Sequence, residues 1–479
     1  MKSYEEVQGI KIKIICSGCV GESFLSSCVE DEGRQGKCEY CEEEGIVVCL
    51  EELSEHIDRA FENHYARTSN EPDSWQYAML KDKEMDYDWE REGEPTIYAV
   101  MNAAEIPEEA ASDVQAILED QYECMDSAAM GEECEYESQA HYEEIMPGDE
   151  GWQEGWRRFE RTIKSEARFF NRESASQLGE LFNAVDEMRD IDGKPLVVDA
   201  GPGAELTHLY RARVFQSDDK LQAAMIRPDK ELGAPPSVFA SAGRMNARGI
   251  SVFYGATSVD TALAEVRPPV GSQVAVARFD IVTPIRLLDL SALSRVHERG
   301  SIFDPSYAYR LSRTIFLKKL SNRMAYPVMP DDKESEYLST QAIADFLATE
   351  GEVPLDGIIF PSVQIGRSGL NVVLFHKASK CREMEFPKGA EFWASTYLST
   401  EDGPEPDYSV VERVPQQSGG FDDRKGVDVF GVSRIGMMDG SELDERGDTL
   451  EVDVESIEIH VVNAISIGAS SHRVRRTRY

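Results

Sequence analysis

Residues Pro235–Pro269 read PPSVFASAGRMNARGISVFYGATSVDTALAEVRPP, and this stretch decides how the rest of the chain is understood. Glycines punctuate otherwise apolar sequence into which single charged residues are set, Arg244 and Glu265 foremost. An ionised side chain in half-buried strand or helix is costly unless it is paired or engaged by a ligand, so both positions are candidates for chemistry. Ser258 is placed to cap a helix that runs to about Val266. Ile250–Tyr254 reads as a strand, and Val274, Val276 and Phe279 alternate along another.

Outward from this stretch the pattern continues. Helical periodicity is expected near Tyr307–Asn322 and Tyr337–Ala348, and Gly357–Phe360 and Asn371–Phe375 are apolar enough to be central strands. Short strands mixed with helices predict an α+β fold with a curved or two-layered sheet over residues 195–380. Residues 53–194 differ: acidic runs separate helical patterns, with Leu53, Ile57, Phe61 and His64 on one helix face and Val114, Ile117 and Leu118 on another. His64 reads as a packed or surface histidine rather than a ligand. Residues 381–479 form a further segment, with loop expected from Ser399 to about Asp448 and a possible edge strand in VDVESIEIHVVNAISI.

Composition limits the function classes. The 479-residue chain is long enough for two or three cores. Its net charge of -39 repels phosphate backbones, and no basic stripe precedes Arg473–Arg478, so neither strand of nucleic acid is an expected partner. A few converging arginines can still bind a small polyanion inside an acidic molecule. No apolar run reaches the roughly 20 residues that span a bilayer, and the start lacks a signal-peptide pattern, which predicts a cytoplasmic protein away from membranes.

The nine cysteines concentrate in the first fifty residues. Cys16-Ser-Gly-Cys19 and Cys38-Glu-Tyr-Cys41 are two Cys-x-x-Cys pairs at zinc-ribbon spacing, so residues 1–52 are expected to close four thiolates around a structural zinc. Cys28 and Cys49 stand as alternative ligands. A complete thiolate shell has no open position for a substrate, so catalysis is sought elsewhere.

Common catalytic templates are absent. Gly201-Pro-Gly203 has neither the lysine ending of a P-loop nor the third glycine of a dinucleotide fingerprint. No nucleophile elbow and no His-Glu-x-x-His occur. What remains is a set of separated polar residues: Arg211 in LYRAR, Arg244 in GRMN, Tyr254 in VFYGA, Glu265 in LAEVRP and Ser362 in DGIIFPS.

In order and spacing these segments resemble the RES domain, over roughly residues 205–380, with RLLDLSAL, FDPSYAYR, EYLSTQAIADFL and GLNVVLFH also similar. CSGC through CEYC and the following helix resemble the N-terminal domain found ahead of some RES and HEPN proteins. The resemblance implies an α+β fold with a mixed β-sheet like that of ADP-ribosyltransferases. It also implies an enzyme that consumes NAD⁺ by phosphorolysis, with inorganic phosphate as co-substrate, or by hydrolysis. Such proteins often act as toxins restrained by an antitoxin or another inhibitory partner. Carried onto this chain, the functional positions are Arg211, Arg244, Tyr254, Glu265 and Ser362. Met245 stands where many relatives have an aromatic residue. Two other readings are an ADP-ribosyltransferase acting on a macromolecule, and a non-enzymatic interaction protein on a degenerate RES scaffold.

Overall fold

The computed structural model describes residues 4–82, 86–123, 133–326, 328, 330–351, 354–366, 368–401, 403–414, 444–466 and 468–478. The chain divides into two compact units, residues 1–154 with 298–316 and residues 155–297 with 317–479.

The first unit begins with a small antiparallel sheet of β1 (Ile14–Cys16), β2 (Arg34–Lys37) and β3 (Glu44–Cys49) in the order β1-β3-β2, with Cys16 opposite Val47. Helix Leu50–His64 packs on it, and Leu53, Ile57, Phe61 and His64 are buried at the helical spacing read from the sequence. His64 stacks on Tyr307 at 5.6 Å between ring centroids, the packed arrangement expected of it. Helices Thr96–Ala104 and Glu108–Gln121 add Val100, Val114, Ile117 and Leu118 to the same core. A second small sheet pairs β4 (Tyr65–Arg67), β5 (Glu94–Pro95) and β6 (His141–Glu144) in the order β4-β6-β5.

The second unit is built on one mixed sheet of eight strands. In chain order these are β7 (Val197–Ala200), β8 (His208–Phe215), β9 (Phe253–Ala256), β10 (Gln273–Ile281), β11 (Ile285–Asp289), β12 (Gly357–Pro361) and β13 (Leu370–Leu374), closed by β16 (Leu450–Val461). Their spatial order is β16-β10-β8-β9-β13-β12-β11-β7. Only β11 and β12 run parallel; the other pairs are antiparallel. One face packs Leu209, Phe253, Phe279 and Val372. The other packs Ala212, Ala256, Val274 and Val276 beneath helix Val259–Glu265, which Ser258 caps by accepting the Thr261 N–H at 3.3 Å. The expected strand at Ile250–Tyr254 begins three residues later, at Phe253. The preceding residues are occupied instead by a turn in which Gly243 N–H bonds Asn246 O and Gly249 N–H bonds Ala240 O.

Between β13 and β16 a two-stranded hairpin, β14 (Glu391–Thr400) with β15 (Gly403–Arg413), replaces the start of the loop expected from Ser399. Proline and acidic residues are tolerated here because both strands of a two-stranded ribbon are edges. The remainder of that expected loop, residues 415–443, lies outside the described residues. β16 pairs with β10 along its length and forms the outer strand of the sheet. Among the described residues, no helix is long and apolar enough to cross a membrane.

Candidate functional site

In the first unit Cys16 ends β1, Cys19 ends the short helical turn Ser17–Cys19, and Cys38 and Cys41 flank the turn after β2. Their four sulfurs lie within 4.8 Å of one another, with Cys16 to Cys41 at 3.5 Å and Cys19 to Cys38 at 3.8 Å. Bonds of about 2.3 Å to a tetrahedral zinc place sulfurs about 3.8 Å apart, so these residues fit the ion. Backbone N–H groups of Cys16 and Tyr40 point at Cys38 Sγ, each at 3.4 Å, as donors that suit a thiolate. Cys28 and Cys49 are not in the cluster.

In the second unit a cavity of about 510 Å³ opens beside helix Val259–Glu265, and Arg211, Arg244, Tyr254 and Glu265 all line it. Glu265 is the last residue of that helix, where a carboxylate opposes the helix dipole. Two groups hold it instead. Ser362 Oγ donates to Glu265 Oε1 at 2.6 Å and Asn371 Nδ2 donates to the same oxygen at 2.7 Å. Ser362 is fully buried at the end of β12, and Asn371 sits on β13 opposite Ala256 and Phe360. Among the described residues both hydrogen bonds to Glu265 fall on Oε1, which fixes the carboxylate while Oε2 stays uncommitted. Gly369 makes this approach feasible. Its carbonyl accepts the Ser362 N–H at 2.7 Å, and a Cβ at Gly369 would lie 2.1 Å from Thr261 Oγ1 on the helix that carries Glu265.

Arg244 projects from the turn before β9. Its Nη1 donates to Met324 O at 2.6 Å and its guanidinium lies 5.9 Å from the Tyr337 ring centroid. Helix Lys333–Thr349 holds the turn's backbone through Thr340 Oγ1, which donates to Arg244 O, and Gln341 Nε2, which donates to Gly243 O. Tyr254 accepts the Met245 N–H and donates to Asn246 Oδ1, both at 3.0 Å. Burial pushes its phenol up to about 12, against the opposing pull of the Met245 N–H and Arg244, so it stands in the wall as a neutral hydrogen-bonding group.

Arg211 lies on β8 opposite Ala277, with its guanidinium 4.8 Å from the Phe253 ring centroid. Its Nη1 is shielded from solvent and, among the described residues, has no hydrogen-bond partner. Burial and then the neighbouring Arg213 push the group down to about 10, which still leaves it cationic at neutral pH. Arg213 itself bonds the Glu231 carbonyl and carboxylate, which separates the roles of these two adjacent arginines.

The sequence pattern did not single out Asn371 or Asn246, and it offered Arg267 only as an ion-pair partner of Glu265. Asn371 and Asn246 were within quoted motifs, and a polar residue inside the apolar run GLNVVLF was the available signal. Arg267 also lines the cavity, with φ 46° ahead of two prolines, and among the described residues it forms no ion pair with Glu265. Among the described residues the cavity wall therefore carries three arginines and one acidic residue, Glu265, within a chain of net charge -39.

A mixed sheet with a clamped glutamate facing an arginine-rich cavity defines a site for an anionic ligand. Comparison with protein families gives the particular assignment. Residues 208–394 match the RES domain, and residues 31–177 match the HEPN/RES N-terminal domain 1. The chain thus carries a RES domain preceded by a HEPN/RES N-terminal domain, and RES membership supports an NAD-related, toxin-like function in general terms. No curated protein and no solved structure matches the chain.

Proposed function

We propose that this chain is an NAD⁺-consuming enzyme that cleaves the nicotinamide–ribose bond and acts in the cytoplasm as a toxin or defence effector restrained by a protein partner. The observation that carries this reading is a cavity in which Glu265, held by Ser362 and Asn371, is the one acid among three arginines of the described residues.

When the C1′–N bond breaks, its electron pair goes to the pyridinium nitrogen, and nicotinamide leaves as a neutral ring without needing a general acid. The barrier lies in the positive charge that develops on the ribose. Glu265 Oε2 accepts a hydrogen bond from a ribose hydroxyl and opposes that charge, already oriented before the reaction begins. Arg211 and Arg244 engage the diphosphate, whose oxygens supply the partner that Arg211 Nη1 lacks among the described residues. Tyr254 contacts the nicotinamide riboside end. Ser362 orients Glu265 and is not a nucleophile, since its hydroxyl is already donated to the carboxylate. Inorganic phosphate then bonds to C1′ through one oxygen to give ADP-ribose 1-phosphate, or water bonds there and releases a proton to solvent to give ADP-ribose. The four-cysteine cluster holds a structural zinc in the other unit.

Incubating the full chain with NAD⁺, with and without inorganic phosphate, tests this reading. Free nicotinamide with one of the two ADP-ribose products is expected. ADP-ribose attached to protein without free product would favour the macromolecular transferase, and intact NAD⁺ would overturn the enzymatic reading. Gly369→Ala offers a second check. Displacing the loop that carries Ser362 from helix Val259–Glu265 is expected to lower the rate by on the order of 10–100-fold, the effect of misplacing a catalytic group by about 1 Å. The melting temperature should fall by several degrees as well, since overpacking against buried Thr261 costs about 1–3 kcal/mol. An unchanged rate would mean that the Ser362 contact does not position Glu265.

A further inference from the structure

Helices Glu150–Ser165 and Arg172–Leu181 are joined by residues 166–171, and hydrogen bonds hold this connection in a defined shape. The N–H groups of Glu166 and Ala167 both bond Thr162 O, Asn171 Nδ2 donates to Ala167 O, and Asn171 Oδ1 accepts the Ser174 N–H. The ordered turn nevertheless presents two rings to solvent, Phe169 at 82% and Phe170 at 103% exposure, and Phe170 does so at φ 56°. A bulky residue in the left-handed region is costly, and among the described residues no ring contact offsets that cost. Beside the far end of helix Arg172–Leu181 lies a cavity of about 220 Å³ walled by the buried side chains of Phe182, Val185, Phe346 and Leu355. Apolar cavities of about 150 Å³ take up benzene, so this one has room for a phenyl ring.

We propose that the Phe169–Phe170 turn of one molecule docks into this cavity of a second copy of the chain, with the Phe170 ring inside and Phe169 on the rim. The contact does not close within one molecule, because the ten-residue helix, roughly 15 Å long, lies between the rings and the far end where the cavity opens. Charge favours the same pairing. Beside the rings, Glu173 is tied to Arg158 at 2.7 Å and Glu166 to Arg161 at 3.6 Å, while Arg168 and Arg172 form no ion pair among the described residues, so this rim is positive. At the cavity, Arg286 holds Asp186 at 3.2 Å and Arg189 donates to the Asp186 carbonyl. Glu350, the other charged residue of the lining, forms no ion pair among the described residues, so that rim is negative. Each copy carries both halves of the contact, which makes the association head-to-tail and lets it continue beyond two copies or close into a ring. An anchor of two rings belongs to the small, weak class of interface, and assembly is expected at on the order of 100 μM.

Sedimentation equilibrium of the full-length protein, from roughly 10 to 500 μM so as to bracket that affinity, tests the proposal. The average mass of the parent should rise from the 53.6 kDa monomer and pass twice that value at the upper end. Two variants separate the halves of the contact. Phe169→Ser combined with Phe170→Asn removes the rings and leaves a residue that accepts the left-handed backbone. Gly179→Leu fills the cavity, and its Cβ would meet Phe346 Cζ at an ordinary 4.0 Å, so the fold should be kept. Each variant alone should stay monomeric, with a melting temperature no lower than the parent's. In an equal mixture the intact cavity of the first takes the intact rings of the second, so association should return and stop at a 1:1 dimer. A parent that is monomeric throughout or stops at two copies overturns head-to-tail docking. Undiminished self-association of either variant overturns the assigned surfaces. A mixture that stays monomeric overturns the second copy as the occupant and leaves the rings to a different protein.

Discussion

Glu265→Gln is expected to lower nicotinamide release from NAD⁺ by about 10²–10³-fold, the usual cost of removing one preorganised electrostatic group from an active site. Glutamine is the informative replacement because it keeps the shape of the side chain. Its carbonyl oxygen can still accept from Ser362 and Asn371, as Glu265 Oε1 does now, so the loop, helix and melting temperature should be preserved. What changes is the free atom. An NH₂ group takes the position of Oε2 and presents a donor with partial positive charge to a ribose that is itself becoming positive. The loss should therefore fall on kcat rather than on KM. If Glu265→Gln retains the parent's rate of NAD⁺ cleavage, the carboxylate is not the group opposing the developing charge.

The second large effect concerns the other unit. The full-length protein is expected to bind one zinc ion, and Cys38→Ser or Cys41→Ser should lose it together with the ordered packing of β1, β2 and β3. Structural zinc contributes about 10–16 kcal/mol in small zinc-finger peptides. The first unit has its own apolar core around Leu25, Leu50, Leu53 and Ile57, so the loss here should be several kcal/mol rather than complete unfolding. At roughly 2–4 °C per kcal/mol, its melting transition should fall by about 10 °C or more. A strong chelator should reproduce the shift in the parent and have no effect on the serine variants. Metal-free protein that melts at the same temperature as the zinc-loaded form would show that the thiols do not need an ion.

Much of the site was legible because its chemistry breaks local rules. A carboxylate at a helix C-terminus and an arginine in an apolar turn stand out against propensity, and the Ser258 cap and strands β12 and β13 follow directly from local sequence. Residues whose roles depend on long-range packing were not legible. Asn371 reaches Glu265 across 106 positions of sequence, a pairing that exists only once β13 lies between β9 and β12. Arg267 looks from the sequence like a natural partner for Glu265 two residues earlier, yet its backbone at φ 46° takes it elsewhere on the cavity wall. From Ser399 the sequence reads as loop, over the end of β14 and all of β15, because Pro406 and the acidic residues around it are poor strand formers. They are acceptable only because no third strand needs their backbone groups.

The pairing of β16 with β10 has a bearing on how the molecule is made. The family match ends at residue 394, but the sheet that carries Arg211 gains its outer strand only from Leu450–Val461. Since synthesis proceeds from the N-terminus and domains fold as their chain emerges, every earlier strand of the sheet is available while the long edge of β10 is still bare. Residues 450–461 thus govern when this sheet is complete, and a message truncated just after the RES match would yield a sheet with an open, adhesive edge.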